Sequence, residues 1–170
     1  MLLLIQYTLI FASVLALVAL GGCFSEHSGV INIGLEGIMV MGALGGALAM
    51  KFVPAGVPAI VMFLLVVLAS LLMGVLFSML LGVAAINFNA DQTLVGTALN
   101  LMGTAAAVVI VRAINVAENP DNVSSTIVYR KAKQVFLVNI GDFEFNWFML
   151  IVVLVLIAAH IVLYKTRFGL

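Results

Sequence analysis

AIVMFLLVVLASLLMGVLFSMLLGVAA, residues 59–85, carries no charged side chain. About 20 apolar residues in a helix cross the hydrocarbon core of a bilayer, so this stretch is long enough to cross with tilt. Pro54 and Pro58 stand just before it. Proline removes an N–H donor and stops a helix, so the pair brackets a turn. Working outward, residues 2–24 also form an uncharged apolar run, while 94–111 and 147–164 come close to the minimum length. Residues 38–50 are short, and they span only if 29–37 belongs to the same crossing. The expected fold class is therefore all-α, a polytopic membrane helical bundle of about five transmembrane helices. The expected spans are 2–24, 29–50, 59–85, 94–111 and 147–164, with a broken or re-entrant segment between the first two.

Composition sets the same limit. The chain is 65% hydrophobic and 8% charged, against roughly 45–50% and about 25% in a soluble domain. Seven acids and seven bases cannot give such a chain a polar skin. They cancel to a formal charge of zero, so no global basic field points to nucleic acid. The polar residues gather in 112–146, with four bases (Arg112, Arg130, Lys131, Lys133) and four acids (Glu118, Asp121, Asp142, Glu144). Within it, Asn119-Pro120-Asp121 reads as a turn, and 127–138 reads as strand or amphipathic helix. Asn122-Val123-Ser124 matches a glycosylation sequon, a three-residue pattern common by chance.

Cys23 is the only cysteine, so neither an intrachain disulfide nor a cysteine metal cluster is available. Leu20-Gly21-Gly22-Cys23 resembles a lipoprotein processing site. No Lys or Arg precedes it, however, and further apolar helices follow. Small residues four apart mark packing faces: Gly42 with Gly46, and Gly74 with Ser78 and Gly82.

Three polar features sit where polarity is costly. Residues 25–37 read SEHSGVINIGLEG, with three glycines, Asn32 and two glutamates between apolar segments. Broken backbone at membrane depth is tolerated only where protein or a water-filled cavity satisfies it, and a glycine-interrupted half-helix points to a transporter's central site. Glu36 has two compatible readings: a pathway group, or a first-turn acid that compensates the helix dipole. Glu26 and His27 read as interfacial. The second feature is 87–93, NFNADQT, where Asn89 and Gln92 form a capping-box-like start and Asp91 falls in the first turn. The third is the stripe Thr93, Thr97, Asn100 and Thr104, which shares one helix face, with Gly96 and Gly103 beside it. Such a stripe either bonds a neighbouring helix or lines an aqueous path, and threonine also bonds its own backbone.

No P-loop, GxSxG or HExxH is present, so catalysis, ATP binding, a metal and a resident cofactor are not expected. His160 reads as interfacial. Trp147 and Tyr164 bracket the last helix as an aromatic belt, where Lys165 and Arg167 can snorkel.

Residues 25–37 closely resemble a signature of bacterial ABC-transporter permeases of the branched-chain amino acid, simple sugar and nucleoside type. Residues 91–100, DQTLVGTALN, resemble a second stretch of the nucleoside or simple-sugar branch, and 165–170, KTRFGL, the segment leading into the cytoplasmic coupling region. The resemblance covers the whole chain in family order. Histidine stands at position 27 where it leads one to expect arginine.

It implies a pore-forming subunit in the bacterial cytoplasmic membrane that carries a nucleoside or sugar inward by alternating access. The partners implied are a second permease subunit, ABC ATPase subunits and an extracytoplasmic solute-binding protein, with membrane lipid around them. Asn32, Gly34 and Glu36 would sit by the central cavity, with Thr97 and Asn100 facing it. Ending at Leu170, ahead of the coupling region, the chain reads as an N-terminal portion. The resemblance puts the N-terminus and 112–146 outside, whereas four bases in that loop against two at the C-terminus point the other way. The accompanying acids lead us to follow the resemblance. The rival readings are a non-transporting membrane protein or inactive permease remnant, and a lipid-anchored sensor attached through Cys23.

Overall fold

The computed structural model describes residues 2–54, 56–127, 137–140, 143–146 and 148–166. Five helices run in chain order: α1 (Leu2–His27), α2 (Leu35–Phe52), α3 (Ala59–Ile86), α4 (Gln92–Glu118) and α5 (Phe148–Lys165). All five are long and apolar enough to cross a membrane. Between α4 and α5 lies a short antiparallel hairpin, β1 (Leu137–Ile140) with β2 (Phe143–Asn146), in the register Leu137 opposite Asn146 and Ile140 opposite Phe143. The all-α expectation thus holds for the spanning part. The segment read as strand or helix over 127–138 ends in β1, and its middle lies outside the described residues. Trp147 and Arg167 lie outside them too, as do Arg130, Lys131, Lys133, Asp142 and the end of KTRFGL.

The helices end where the local chemistry stops them. Val53 caps α2 and Pro58 opens α3, so the two prolines bracket the turn as expected. Between α1 and α2 the helix is broken over residues 28–34. At 18 residues, α2 is about 27 Å long, a little short of the roughly 30 Å hydrocarbon core. The start of α4 corrects the sequence reading. Its N-cap is Asp91, whose carboxylate accepts from the N–H groups of Thr93 (2.8 Å) and Leu94 (3.1 Å). Asn89 sits instead in the left-handed region at φ 49°, within the turn leaving α3. Asparagine tolerates that conformation, so it serves the turn while the aspartate two residues on caps the helix. α4 also runs on past Val111 by about two turns, to Glu118 just ahead of Asn119-Pro120.

The described residues divide into two compact units, one of α1, the hairpin and α5, the other of α2, α3 and α4. In the first, Met149, Val152, Ala159 and Leu163 form the buried face of α5. His27 lies edge-on to Tyr164, with ring centroids 5.9 Å apart, and His160 lies 5.0 Å from the same ring.

In the second unit glycines let the helices approach closely, while many large residues of α3 face outward. Gly45 and Gly46 are buried, and a Cβ at Gly45 would come within 2.6 Å of Met73 Cγ and 2.7 Å of the Ala69 carbonyl oxygen on α3. A Cβ at Gly46 would come within 2.5 Å of Ser70 Oγ, and one at Gly42 within 3.4 Å of the Ser70 carbonyl oxygen. Gly42 and Gly46 thus mark the face where α2 meets α3, as their spacing predicts. Of the second small-residue set, Gly74 borders Ile38, but nothing lies within 4 Å of a Cβ at Gly82. On α3, Leu64, Leu71, Leu72 and Leu76 are more than half exposed. Lipid tails are as apolar as leucine, so close packing rather than hydrophobic burial holds such helices together.

Candidate functional site

The SEHSGVINIGLEG stretch divides into a helix stop and a helix start. The stop closes α1. Gly29 adopts φ +82°, which costs glycine no Cβ clash. Its N–H bonds the Glu26 carbonyl at 3.0 Å, and the Val30 N–H bonds the Ser25 carbonyl at 3.2 Å. This is the paired bonding of a Schellman cap, which uses carbonyls that a helix end otherwise leaves open. Ser25 Oγ donates to the Val30 carbonyl and Ser28 Oγ to that of Ser25, both at 2.7 Å.

The start is built differently. Gly34 is the N-cap of α2 and has no side chain to receive the first N–H groups. A residue on another helix does it instead. Asn100 Oδ1, on α4, accepts from the Gly37 N–H at 2.8 Å, while its Nδ2 donates to the Ile33 carbonyl at 2.9 Å. One carboxamide therefore closes a bridge across the first turn of α2, satisfying an orphan donor and an orphan acceptor together.

Glycine makes the approach close enough. Gly37 and Gly103 touch backbone to backbone: a Cβ on Gly103 would lie 2.8 Å from both the Cα and carbonyl oxygen of Gly37. A Cβ on Gly96 would lie 2.9 Å from the Gly34 nitrogen. Leu99, 4% exposed, fills the space between. The seat on α4 is thus Gly96, Leu99, Asn100 and Gly103, and the segment lodged in it is residues 33–37.

The five residues singled out from sequence take distinct places. Gly34 is buried against α4, where an added Cβ would meet Asn32 Oδ1, the Gly96 carbonyl and Leu99 Cβ, each at 3.4 Å. Asn32 is half-buried, and its enclosed Oδ1 has no hydrogen-bond partner among the described residues. Such an acceptor costs about 1–3 kcal/mol until something donates to it. Glu36 is in the first turn of α2 with its side chain exposed, and it forms no ion pair among the described residues. There it lies beside the positive end of the helix dipole. Thr97 is exposed and donates to the Thr93 carbonyl at 2.8 Å. It lines a shallow groove along α4 with Asp91, Thr93, Leu94, Ala98 and Leu101. The structure therefore joins Asn32, Gly34 and Asn100 at the break, with Glu36 on its rim, and leaves Thr97 on the α4 surface.

Two polar features of the same unit escaped the sequence reading. Lys51, near the end of α2, forms an ion pair with Glu118, the last residue of α4, at 2.8 Å. Asn115, 2% exposed, donates from Nδ2 to the carbonyls of Ser124 and Thr126, both at 2.9 Å. That ties the turn after α4 to the helix. A lone base and a lone acid at two helix ends were the available hint for the first. For the second it was an asparagine among the apolar residues of the last turns of α4.

A family model described as branched-chain amino acid transport system / permease component matches residues 4–170. The guanosine ABC transporter permease protein NupQ of Bacillus subtilis is 46% identical over 107 residues, 63% of this chain and 33% of that protein. The nucleoside ABC transporter permease protein NupC of Lactococcus lactis is 36% identical over 166 residues, 95% of this chain and 52% of that one. A putative glucose ABC transporter permease protein, TsgC13 of Haloferax volcanii, is 57% identical over 35 residues, 21% of this chain and 11% of its own. The chain thus covers about half or less of each relative's length. No solved structure matches.

Proposed function

This chain belongs to the family of branched-chain amino acid transport system permease components, and from that premise we propose that it forms part of the translocation pathway of an ABC importer for a nucleoside. Two relatives are named for guanosine or nucleoside transport, one of them along nearly the whole of this chain, whereas the relative named for glucose matches only 35 residues. The observation that carries a pathway here is the backbone break before α2, whose end, residues 33–37, is lodged on α4 with Glu36 exposed at its rim. A membrane helix keeps a glycine-hinged break and a carboxylate at little benefit to stability, and both suit a polar solute that must be held and released.

The residues divide the work. Glu36 offers an exposed acceptor to the hydroxyl and N–H groups of a nucleoside, and the enclosed, unpartnered Oδ1 of Asn32 adds a second when the break opens during transport. Gly34 and Asn100 shape the segment that carries them. Thr97 contributes where the groove along α4 meets the path. ATPase subunits supply the energy, a second permease subunit completes the pore, and an extracytoplasmic binding protein delivers the solute. The membrane is the bacterial cytoplasmic one, with the N-terminus and residues 112–146 outside.

The test is uptake of labelled nucleosides and sugars in cells carrying the native locus. Deletion abolishes nucleoside uptake, and the gene restores it while a Glu36→Ala version does not. Unchanged uptake of every solute on deletion favours the inactive remnant.

A further inference from the structure

We infer that Asn100 is a positioning residue: its carboxamide sets where Glu36 points, and it does not itself touch the solute. The inference rests on the proposed pathway only for its transport readout. The two bridged backbone groups, Ile33 C=O and Gly37 N–H, lie on either side of Glu36 in the chain. Holding both fixes the path and direction of the first turn that carries the carboxylate. The bridge uses both ends of the carboxamide, Oδ1 as acceptor and Nδ2 as donor. Asparagine is a short side chain that offers both at this spacing. Aspartate keeps the acceptor and loses the donor, and alanine loses both. Contact between Gly37 and Gly103 brings the helices close enough for so short a bridge.

Geometry also assigns the remaining stripe residues to other tasks. Thr97 Oγ1 bonds the Thr93 carbonyl, and Thr104 Oγ1 those of Asn100 and Leu101. Thr97 and Thr104 therefore spend their donors on their own helix, and the stripe resolves into one bridge between helices, flanked by self-bonded threonines. Among the described residues beside the bridge, Glu36 keeps an exposed carboxylate and Asn32 an enclosed, unpartnered Oδ1.

Nitroxide mobility reads the effect without requiring transport. The full chain, with Cys23→Ala, carries a single spin label through Glu36→Cys, or through Val123→Cys in the exposed turn after α4. With Asn100→Ala the label at 36 becomes mobile and the label at 123 does not change. With Asn100→Asp the spectrum at 36 falls between the two. An unchanged spectrum at 36 in Asn100→Ala overturns the inference, and so do two labels that loosen together, which mean that Asn100 supports the fold at large.

In cells with Glu36 intact, Asn100→Ala lowers uptake of nucleoside analogues lacking one hydroxyl or one exocyclic amine by a common factor. That factor is roughly thirtyfold for two hydrogen bonds lost. A loss confined to nucleosides bearing one particular group means direct contact, and overturns the positioning role. If no nucleoside or sugar is carried and the label at 36 still responds, the pathway reading fails and the bridge stands.

Discussion

Replacing Gly37 by alanine tests whether the seat on α4 is a close backbone contact. The added Cβ would lie against the Leu99 carbonyl oxygen, 2.9 Å from the Leu99 carbonyl carbon and 3.0 Å from the Asn100 Cα. Carbon atoms rest about 3.5–4.0 Å apart, and the atoms met are backbone, so no side chain can swing away. α2 and α4 must therefore part by about 0.5–1 Å, the gap between those contact distances. The same shift takes the 2.8 Å bond from Gly37 N–H to Asn100 Oδ1 to about 3.3–3.8 Å, at or beyond useful range. Overpacking costs about 1–3 kcal/mol, and the weakened bond adds about 1 kcal/mol. Replacing glycine by alanine in a helix returns about 0.5–1 kcal/mol. The expected net loss is about 2 kcal/mol.

Gly82→Ala supplies the control, because nothing lies within 4 Å of its Cβ and only the propensity gain remains, up to about 1 kcal/mol. Reversible unfolding of both variants in mixed micelles, followed by circular dichroism against a denaturing-detergent titration, reads the difference. The two substitutions are expected to move stability in opposite directions. A Gly37→Ala protein as stable as wild type, or one that shifts with Gly82→Ala, refutes the close contact.

Other substitutions probe the remaining joints. Gly29→Ala forces a side chain into φ +82° and is expected to cost about 1–2 kcal/mol, with faster amide exchange confined to the α1 end. Asn115→Ala leaves the Ser124 and Thr126 carbonyls without their donor, so protease cutting within 119–127 accelerates while the helix content by circular dichroism stays the same. A double-mutant cycle of Lys51→Met and Glu118→Gln is expected to give under about 1 kcal/mol of coupling, weakening with salt, because the Glu118 side chain is 58% exposed. Coupling above about 2 kcal/mol would show a pair far better shielded than this exposure allows.

What could be read from sequence depended on how local the cause was. That the chain would form five long apolar helices was legible because a bilayer demands a long apolar run whatever the neighbours do. The break was legible from Gly29 and Gly34, beside a second segment too short to cross alone. The start of α4 was not. Asn89 and Asp91 are both good caps two residues apart, and the left-handed backbone at Asn89 decides between them. For the stripe 93, 97, 100 and 104 the spacing gave the face but not the partner. Only the packed helices show that Asn100 reaches α2 while Thr97 and Thr104 turn back on α4. Lys51 with Glu118, and Asn115 with the turn beyond it, depend likewise on what folding brings near.

The bridge from Asn100 also bears on the order in which the protein is made. Its two ends, Gly37 and Asn100, are 63 residues apart in the chain. At about 5–20 residues per second, a ribosome leaves α2 waiting roughly 3–13 seconds for the residue that completes its first turn. Throughout that interval the Ile33 carbonyl and Gly37 N–H have no Asn100 to bond, and α2 is short and carries Glu36 and Lys51 at its ends. An early α2 is thus poorly suited to bare lipid, where unsatisfied backbone is costly. Until α4 emerges, it must be sheltered by the insertion machinery or remain at the membrane surface, and a nascent chain arrested before Asn100 should be extracted from membranes more readily than one arrested after Glu118.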